Sequence, residues 1–176
     1  MMRNLGRMAQ ALGAVLVAGG ALAAPPAPEN PAAAALEKMK ALAGEWVAAK
    51  EGPLSKKGDL VARYAVTAAG TAVVETVFPG TRHEMVTVYH RDGSDLVLTH
   101  YCISGNQPRM RARDLTGDRI EFAYDGGMGI DPKRDRHMHS TWLEFLGRDE
   151  IRNEWTELAG GEVVLVVQSH LLRQTR

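Results

Sequence analysis

Two pairs of side chains in this sequence are of types that bind metal ions. His100 and Cys102 are spaced two residues apart, and so are His137 and His139. On a β-strand, residues two apart point to the same face, so each pair would present its side chains together. Imidazole and thiolate are ligands for zinc, copper and iron. If the fold brings the pairs together, the four residues predict a transition-metal site, and three histidines with an open position could activate water.

The sequence carries none of the common signatures of enzymes. It has no G-x-S-x-G elbow, no G-x-x-x-x-G-K-[ST] loop, no H-E-x-x-H and no C-x-x-C. Gly126-Gly127-Met128-Gly129 does not open a helix after a strand, so it is not a dinucleotide-binding fingerprint. We therefore assign no catalytic residue and favour a protein that is not an enzyme.

The charge balance argues against nucleic acid as a partner. The chain has 21 Lys and Arg residues against 21 Asp and Glu residues. Without Arg3 and Arg7, which belong to the N-terminal leader, it has two fewer basic than acidic residues. Such a chain, without a polybasic run, is not expected to bind nucleic acid or anionic lipid through its charge. Because Cys102 is the only cysteine, it cannot form an internal disulfide, and the apolar core must hold the fold.

Residues 1–23 have the form of a secretory signal peptide. Arg3 and Arg7 accompany an apolar run, and Ala21-Leu22-Ala23 matches an A-x-A cleavage signal. The run is too short and too rich in glycine for a membrane span, which needs about 20 apolar residues. We predict a periplasmic or secreted protein without a membrane span in its mature form. Residues 24–31 then form a Pro/Ala linker.

Residues 32–176 have the pattern of one all-β domain preceded by a short helix. Asn30 and Pro31 predict the start of a helix from Ala32 to Leu42, which Gly44 ends. Beyond Gly44 the apolar residues alternate with period two, and turn signals separate the runs. This pattern predicts ten strands, at residues 44–50, 59–67, 72–78, 83–90, 95–102, 107–113, 119–124, 137–146, 149–157 and 162–172.

Ten short strands joined by hairpins form an antiparallel up-and-down meander. Closing the meander into a β-barrel removes its exposed edges, and a two-sheet sandwich is the alternative. Arg109, Arg111 and Arg113 share one strand face, which we expect to meet water and Glu121. The alternative is an inward cluster of cations for an anionic head group. The last strand begins apolar on both faces, so either the helix or a second subunit, in a homodimer, would cover one of them.

The segment Leu42-Ala43-Gly44-Glu45-Trp46 resembles the start of calycin-type barrels. A short helix followed by L-x-G-x-W is similar to lipocalins, fatty-acid-binding proteins and nitrobindin-like haem proteins. This resemblance implies that Trp46 packs across the closed end of the barrel. Residues 80–86, 98–102, 105–110 and 137–140 resemble an uncharacterised bacterial family of exported lipocalin-like domains. That second resemblance implies the fold and leaves the activity open.

The last strand departs from the patterns of two of these families. It ends His170-Leu171-Leu172-Arg173 and lacks the Arg-x-Tyr pair with which fatty-acid-binding proteins hold a carboxylate. Nitrobindin-like proteins use a late histidine as their haem ligand. By that resemblance, His170 is the candidate haem ligand of this chain.

The order of the strands predicts where a site should lie. In a ten-strand meander, the loops at residues 51–58, 79–82, 103–106, 125–136 and 158–161 share one rim. Barrel mouths are common ligand sites. We expect the following ligand-binding side chains there: His83, His100, Tyr101, Asn106, Gln107, Tyr124, His139 and Trp155.

Three functions are compatible with this sequence. The first is an exported barrel that binds a small, mostly apolar ligand in an interior made of Val74, Phe78, Leu98, Phe122, Tyr124, Leu143 and Trp155. The second is a haem- or metal-binding barrel with redox or hydrolytic chemistry. The third is a structural or interaction protein whose barrel is filled by residues such as Trp46, Trp142 and Trp155.

Overall fold

The computed structural model describes residues 30–115 and 117–175. The predicted signal peptide, residues 1–23, lies outside these ranges, as does the predicted linker up to residue 29. Among the described residues, no helix is long and apolar enough to cross a membrane.

The described chain begins with one short helix, α1, at Pro31–Lys40. The Asn30 side chain accepts a hydrogen bond from the Ala32 backbone N–H at 2.9 Å, and Pro31 occupies the first helical position. Both features match the predicted start, because they satisfy or remove backbone donors that the first turn leaves free. The buried face of α1, which includes Leu36 and Met39, packs against the second to fifth strands of the sheet.

Ten antiparallel strands follow α1 and close into a barrel. Each strand pairs with its neighbours in sequence, and β1 pairs with β10 to complete the ring. The closed ring confirms the predicted barrel and excludes the two-sheet sandwich. The strands are β1 (Gly44–Ala48), β2 (Leu60–Thr67), β3 (Ala72–Val77), β4 (Met85–Asp92), β5 (Asp95–Tyr101), β6 (Arg109–Asp114), β7 (Arg119–Gly126), β8 (His137–Phe145), β9 (Glu150–Ala159) and β10 (Glu162–Arg173).

Trp46 lies in the core beside the junction of α1 and β1. It is fully buried, and its Nε1 donates to the Leu42 carbonyl at 2.8 Å. The Arg173 guanidinium lies 4.4 Å from the centre of the indole ring, and the Tyr64 ring meets it edge to face at 6.4 Å. Trp46 therefore joins the first strand, the last strand and the helix at this end of the barrel.

The sheet corrects one predicted interior residue on β3. Val73 and Glu75 are buried, and Val74 between them is only partly buried. Since side chains alternate across a strand, Val74 points away from the barrel interior. The interior face of this strand therefore carries Glu75, and the valine that the sequence interpretation placed inside lies on the outer face.

The arginines of β6 lie on the water-facing side of the barrel, as predicted, but the predicted partner was wrong. Arg111 is within ion-pair distance of Asp92, Asp95 and Asp125, and Arg109 pairs with Asp92. Glu121 instead pairs with Arg119 of its own strand, at 3.0 Å. The inward cation cluster that was the alternative is therefore excluded.

The outer side of β10 stays partly exposed. Because α1 packs against β2 to β5, it is not the element that covers the last strand. Val164, Val166 and Leu172 are each more than two-fifths exposed. A second subunit on this strand stays a prediction.

Candidate functional site

A cavity of about 290 Å³ extends into the barrel interior. This volume is at the lower end of the range for small-molecule sites. The apolar lining residues are Leu54, Val61, Ala62, Val77, Phe78, Met85, Ile103, Met138, Trp155, Leu165 and Val167. The polar lining residues are Glu75, His83, His100, Cys102, Ser104, Arg136, Asn153, Glu157 and Ser169.

The mouth of the cavity lies at the rim formed by the long loops. Leu54 follows β1, His83 follows β3, Ile103 follows β5, and Arg136 follows β7. These four residues lie in every second loop along the chain. The strand order predicted that these loops share one rim. Leu54 and Ile103 are 47% and 58% exposed, so apolar side chains flank the opening.

A buried carboxylate, Glu75, forms part of the cavity wall and is only 1% exposed. The Tyr64 and Tyr89 hydroxyls donate to its Oε1 and Oε2, each at 2.7 Å. Thr87 lies directly opposite Glu75 on β4, and its side chain is also buried. Burial raises the pKa of Glu75, and the hydroxyls of Tyr89, Tyr64 and Thr87 act in the opposite direction. Two phenol donors, one on each oxygen, match the ionised form, since a protonated carboxyl would need an acceptor of its own.

The two tyrosines remain hydrogen-bond donors over the whole physiological range. Burial, followed by the negative charge of Glu75, holds the pKa of Tyr64 and of Tyr89 well above the usual value. Their protons therefore stay on the phenol oxygens. Together with Thr87 they form a ring of hydroxyls around the carboxylate, which we call the Glu75 network (Tyr64, Glu75, Thr87 and Tyr89).

His100 connects the Glu75 network to the cavity. It is 2% exposed, and its Nδ1 lies 2.9 Å from Thr87 Oγ1. Its ring packs on Trp155 with the ring centres 4.7 Å apart. The buried Nε2 atom has no hydrogen-bond partner among residues 30–115 and 117–175. Burial lowers the pKa of His100 to about 4, so the imidazole is neutral at neutral pH.

Three more polar residues line the same cavity. Asn153 is 7% exposed, and its Oδ1, like His100 Nε2, has no partner in the described part of the chain. Arg136 forms a bidentate ion pair with Glu157, in which Nε–Oε1 and Nη2–Oε2 are both 2.7 Å. The Glu157 carboxylate is almost fully buried, so the pairing compensates the loss of its water.

Four of the predicted site residues lie together in the cavity wall. His83, His100, Cys102 and Trp155 all line it. One face of β5 and of the residue just beyond it is buried, as the spacing of two residues predicted. Its members are Leu96, Leu98, His100 and Cys102. His83 Nε2 accepts a hydrogen bond from Arg82 Nε at 3.1 Å.

His137, His139 and Tyr124 form a separate cluster that does not line the cavity. His137 Nε2 lies 3.1 Å from His139 Nδ1, and the Tyr124 ring packs on both imidazoles. Burial lowers the pKa of His139, with smaller contributions from His137 and Arg113. The residue between the two histidines, Met138, lines the cavity instead.

The side chains of His137 and His139 point in other directions than predicted, and the cause is local. Met138 pairs with Glu157 and Ser140 with Thr156, so His139 is an extra residue, a β-bulge, opposite one step of β9. A bulge reverses the alternation of faces on one side of it. The inward direction of Leu143 therefore does not continue to His137 and His139. The sequence argument, which placed both histidines inside the barrel, was wrong.

The four predicted metal ligands are not gathered at one point. In the described ranges, no three His, Cys, Asp or Glu side chains are arranged to hold a metal ion. His100 and Cys102 line the cavity, and His137 and His139 belong to the cluster around Tyr124.

The remaining predicted residues lie outside the cavity lining. Tyr101 is half-exposed on the face of β5 opposite His100. Asn106 Nδ2 donates to the Arg136 carbonyl at 2.6 Å and so ties the β5–β6 loop to the β7–β8 loop. Gln107 is exposed on the former loop. His170, the candidate haem ligand, points away from the cavity, and its Nε2 lies 2.7 Å from Glu150 Oε1.

Sequence reasoning missed the Glu75 network altogether. One signal could have found it, because Glu75 shares strand parity with Val73 and Val77 in the otherwise apolar run AVVETV. An acid at an inward position needs buried donors. Tyr64 and Tyr89, on the two flanking strands, provide them through registers that only the fold defines.

Comparisons with known proteins identify no family for this chain. No protein-family model matches the sequence, and no curated protein matches it.

Proposed function

We propose that this protein is a calycin-type barrel, exported to the periplasm or the medium, that binds a small, mostly apolar molecule. The cavity carries this proposal, because it combines apolar walls with a few polar groups, as ligand sites do. A filled structural barrel would leave no such space. The signal-like residues 1–23 support export, and the L-x-G-x-W segment supports the calycin type.

The volume of the cavity limits the size of the ligand. At the roughly 30 Å³ that a water molecule takes in the liquid, 290 Å³ corresponds to roughly ten non-hydrogen atoms. A bicyclic aromatic or a short branched aliphatic compound has this size. Burial of its surface contributes roughly 25 cal/mol per Å² before the costs of association.

Titration calorimetry with 1-methylnaphthalene tests this proposal. We expect saturable binding of one molecule per chain. Val167→Phe places a larger side chain in the cavity and should abolish binding. Val166→Phe changes the neighbouring residue of β10, which is 46% exposed, and should leave binding intact. The proposal fails if the wild-type protein gives no saturable heat, or if both variants bind as the wild type does.

A further inference from the structure

The most unusual feature of the cavity is a pair of buried polar atoms without partners. His100 Nε2 and Asn153 Oδ1 are both buried, and neither has a hydrogen-bond partner in the described ranges. Both residues line the cavity. A buried polar atom without a partner destabilises the fold, so such atoms point to a group that the bound molecule supplies.

The Glu75 network decides which proton the imidazole of His100 carries. Thr87 lies directly opposite Glu75 in the pairing of β3 with β4, and its Oγ1 lies 2.9 Å from His100 Nδ1. A carboxylate is a stronger acceptor than a neutral imidazole, so we infer that the single Thr87 proton points to Glu75 and that Thr87 accepts from His100 Nδ1–H. This arrangement leaves a lone pair on Nε2, so His100 offers the cavity an acceptor.

The charges around the cavity oppose an anionic ligand. Glu75, Arg136 and Glu157 are the Asp, Glu, Lys and Arg residues in its described lining. Arg136 is already held by both oxygens of Glu157. A carboxylate inside the barrel would meet Glu75 and two acceptors, with no free cation among these lining residues to pair with.

We propose that the cavity selects an uncharged molecule whose apolar body carries a hydroxyl or N–H donor, and that His100 Nε2 and Asn153 Oδ1 accept from that donor. Neutral alcohols, phenols and amides belong to this class, and fatty-acid anions do not. The proposal rests on the proposed function, because it defines the ligand class of the same cavity.

Three naphthalenes with different substituents test whether the wild-type protein prefers a donor-bearing, an apolar or an anionic ligand at pH 7. These ligands are 1-naphthol, which has a donor, 1-methylnaphthalene, which is nearly the same size and has none, and 1-naphthoate, which is an anion. We expect calorimetry to show that 1-naphthol binds about tenfold more tightly than 1-methylnaphthalene, because the donor satisfies an otherwise unpaired acceptor. We expect 1-naphthoate to bind more weakly than either.

The role of His100 is tested on the wild-type protein and on one variant. The ¹⁵N resonance of His100 Nε2 should shift on addition of 1-naphthol and stay nearly unchanged with 1-methylnaphthalene. In His100→Phe, which keeps a ring beside Trp155, both neutral ligands should bind equally. The wild-type measurements decide the question even if that variant does not fold.

The outcomes distinguish this proposal from the proposed function. Equal affinity for 1-naphthol and 1-methylnaphthalene, or tightest binding of 1-naphthoate, overturns the donor-bearing ligand class while leaving an apolar site in place. If none of the three ligands binds in a way that Val167→Phe abolishes, the proposed function itself is wrong.

Discussion

His100 is buried, contacts the Glu75 network and lines the cavity. Its ring is neutral because the barrel excludes the water that would stabilise a charged imidazolium. Its Nδ1 contacts Thr87 and its ring packs on Trp155, so the imidazole has a fixed position. These constraints make His100 the most informative single position for both stability and binding.

Acid should destabilise the protein through His100. The usual histidine pKa is 6.5, and burial lowers that of His100 to about 4. Between these values the unfolded chain binds a proton that the folded chain does not, so stability is lost as the pH falls from 6.5 towards 4. The expected loss from this residue is about 3 kcal/mol.

Urea unfolding of the wild type and of His100→Gln, followed between pH 7 and pH 4, measures this contribution. The wild type should lose about 3 kcal/mol more than the variant over that interval, because the carboxylates titrate in both proteins. Parallel pH profiles would show that His100 is protonated in the folded protein as readily as in the unfolded chain.

Strand β8 shows how one extra residue changes which side chains face the interior. The bulge at His139 lets Met138 line the cavity while His137 and His139 pack with Tyr124. By contrast, β5 pairs with β4 without a register shift, so its alternation continues to His100. Placement of a functional side chain thus depends on whether a bulge lies between it and the core.

Deletion of His139 should therefore be tolerated. It removes the residue that has no counterpart on β9 and leaves Met138 opposite Glu157. We expect a folded protein that loses about 1 kcal/mol, mainly from the packing of His139 on Tyr124.

Deletion of Thr99 from β5 is the matched control for that variant. It would turn His100 and Cys102, or the preceding leucines, to the opposite face, so it should prevent folding. Circular dichroism and urea unfolding measure both variants. If the His139 deletion unfolds the protein as completely as the Thr99 deletion, the bulge is not an insertion into a regular ladder.

The whole molecule is held closed by contacts between the two ends of the described chain. β1 pairs with β10, and Arg173 near the end of the described chain reaches back to the junction of α1 and β1. Its guanidinium donates to the Ala41 and Ala43 carbonyls, each at 2.8 Å, and lies over Trp46. Closure of the barrel therefore depends on residues more than 120 positions apart, as the separation of 130 for Arg173 and Ala43 shows.

Arg173→Ala should weaken this closure. The variant loses the charged hydrogen bonds to the segment between α1 and β1 and the contact with Trp46, so we expect a loss of about 2 kcal/mol in urea unfolding. Arg152→Ala is the control, because Arg152 is half-exposed and 4.0 Å from Glu144. It should change stability by less than about 0.5 kcal/mol. Equal losses in the two variants would mean that Arg173 adds nothing specific to closure.

The sequence by itself determined the strands and their order. Period-two alternation and turn residues are local signals, so ten strands were predicted within about two residues of their observed ends, and their hairpin order implied the rim where the cavity opens. His100 and Trp155 followed from that reasoning because no bulge separates their faces from the buried positions used to orient them. His83 followed from its place in a loop of the same rim.

Only the tertiary structure decided which polar groups meet. The Glu75 network joins three strands through their registers, and the bulge at His139 reverses a face without any distinct sequence signal. Both depend on pairing between strands, which balances packing and hydrogen bonding across the whole barrel. For that reason the rim where the cavity opens could be predicted from the chain, whereas the two unpartnered polar atoms in the cavity wall could not.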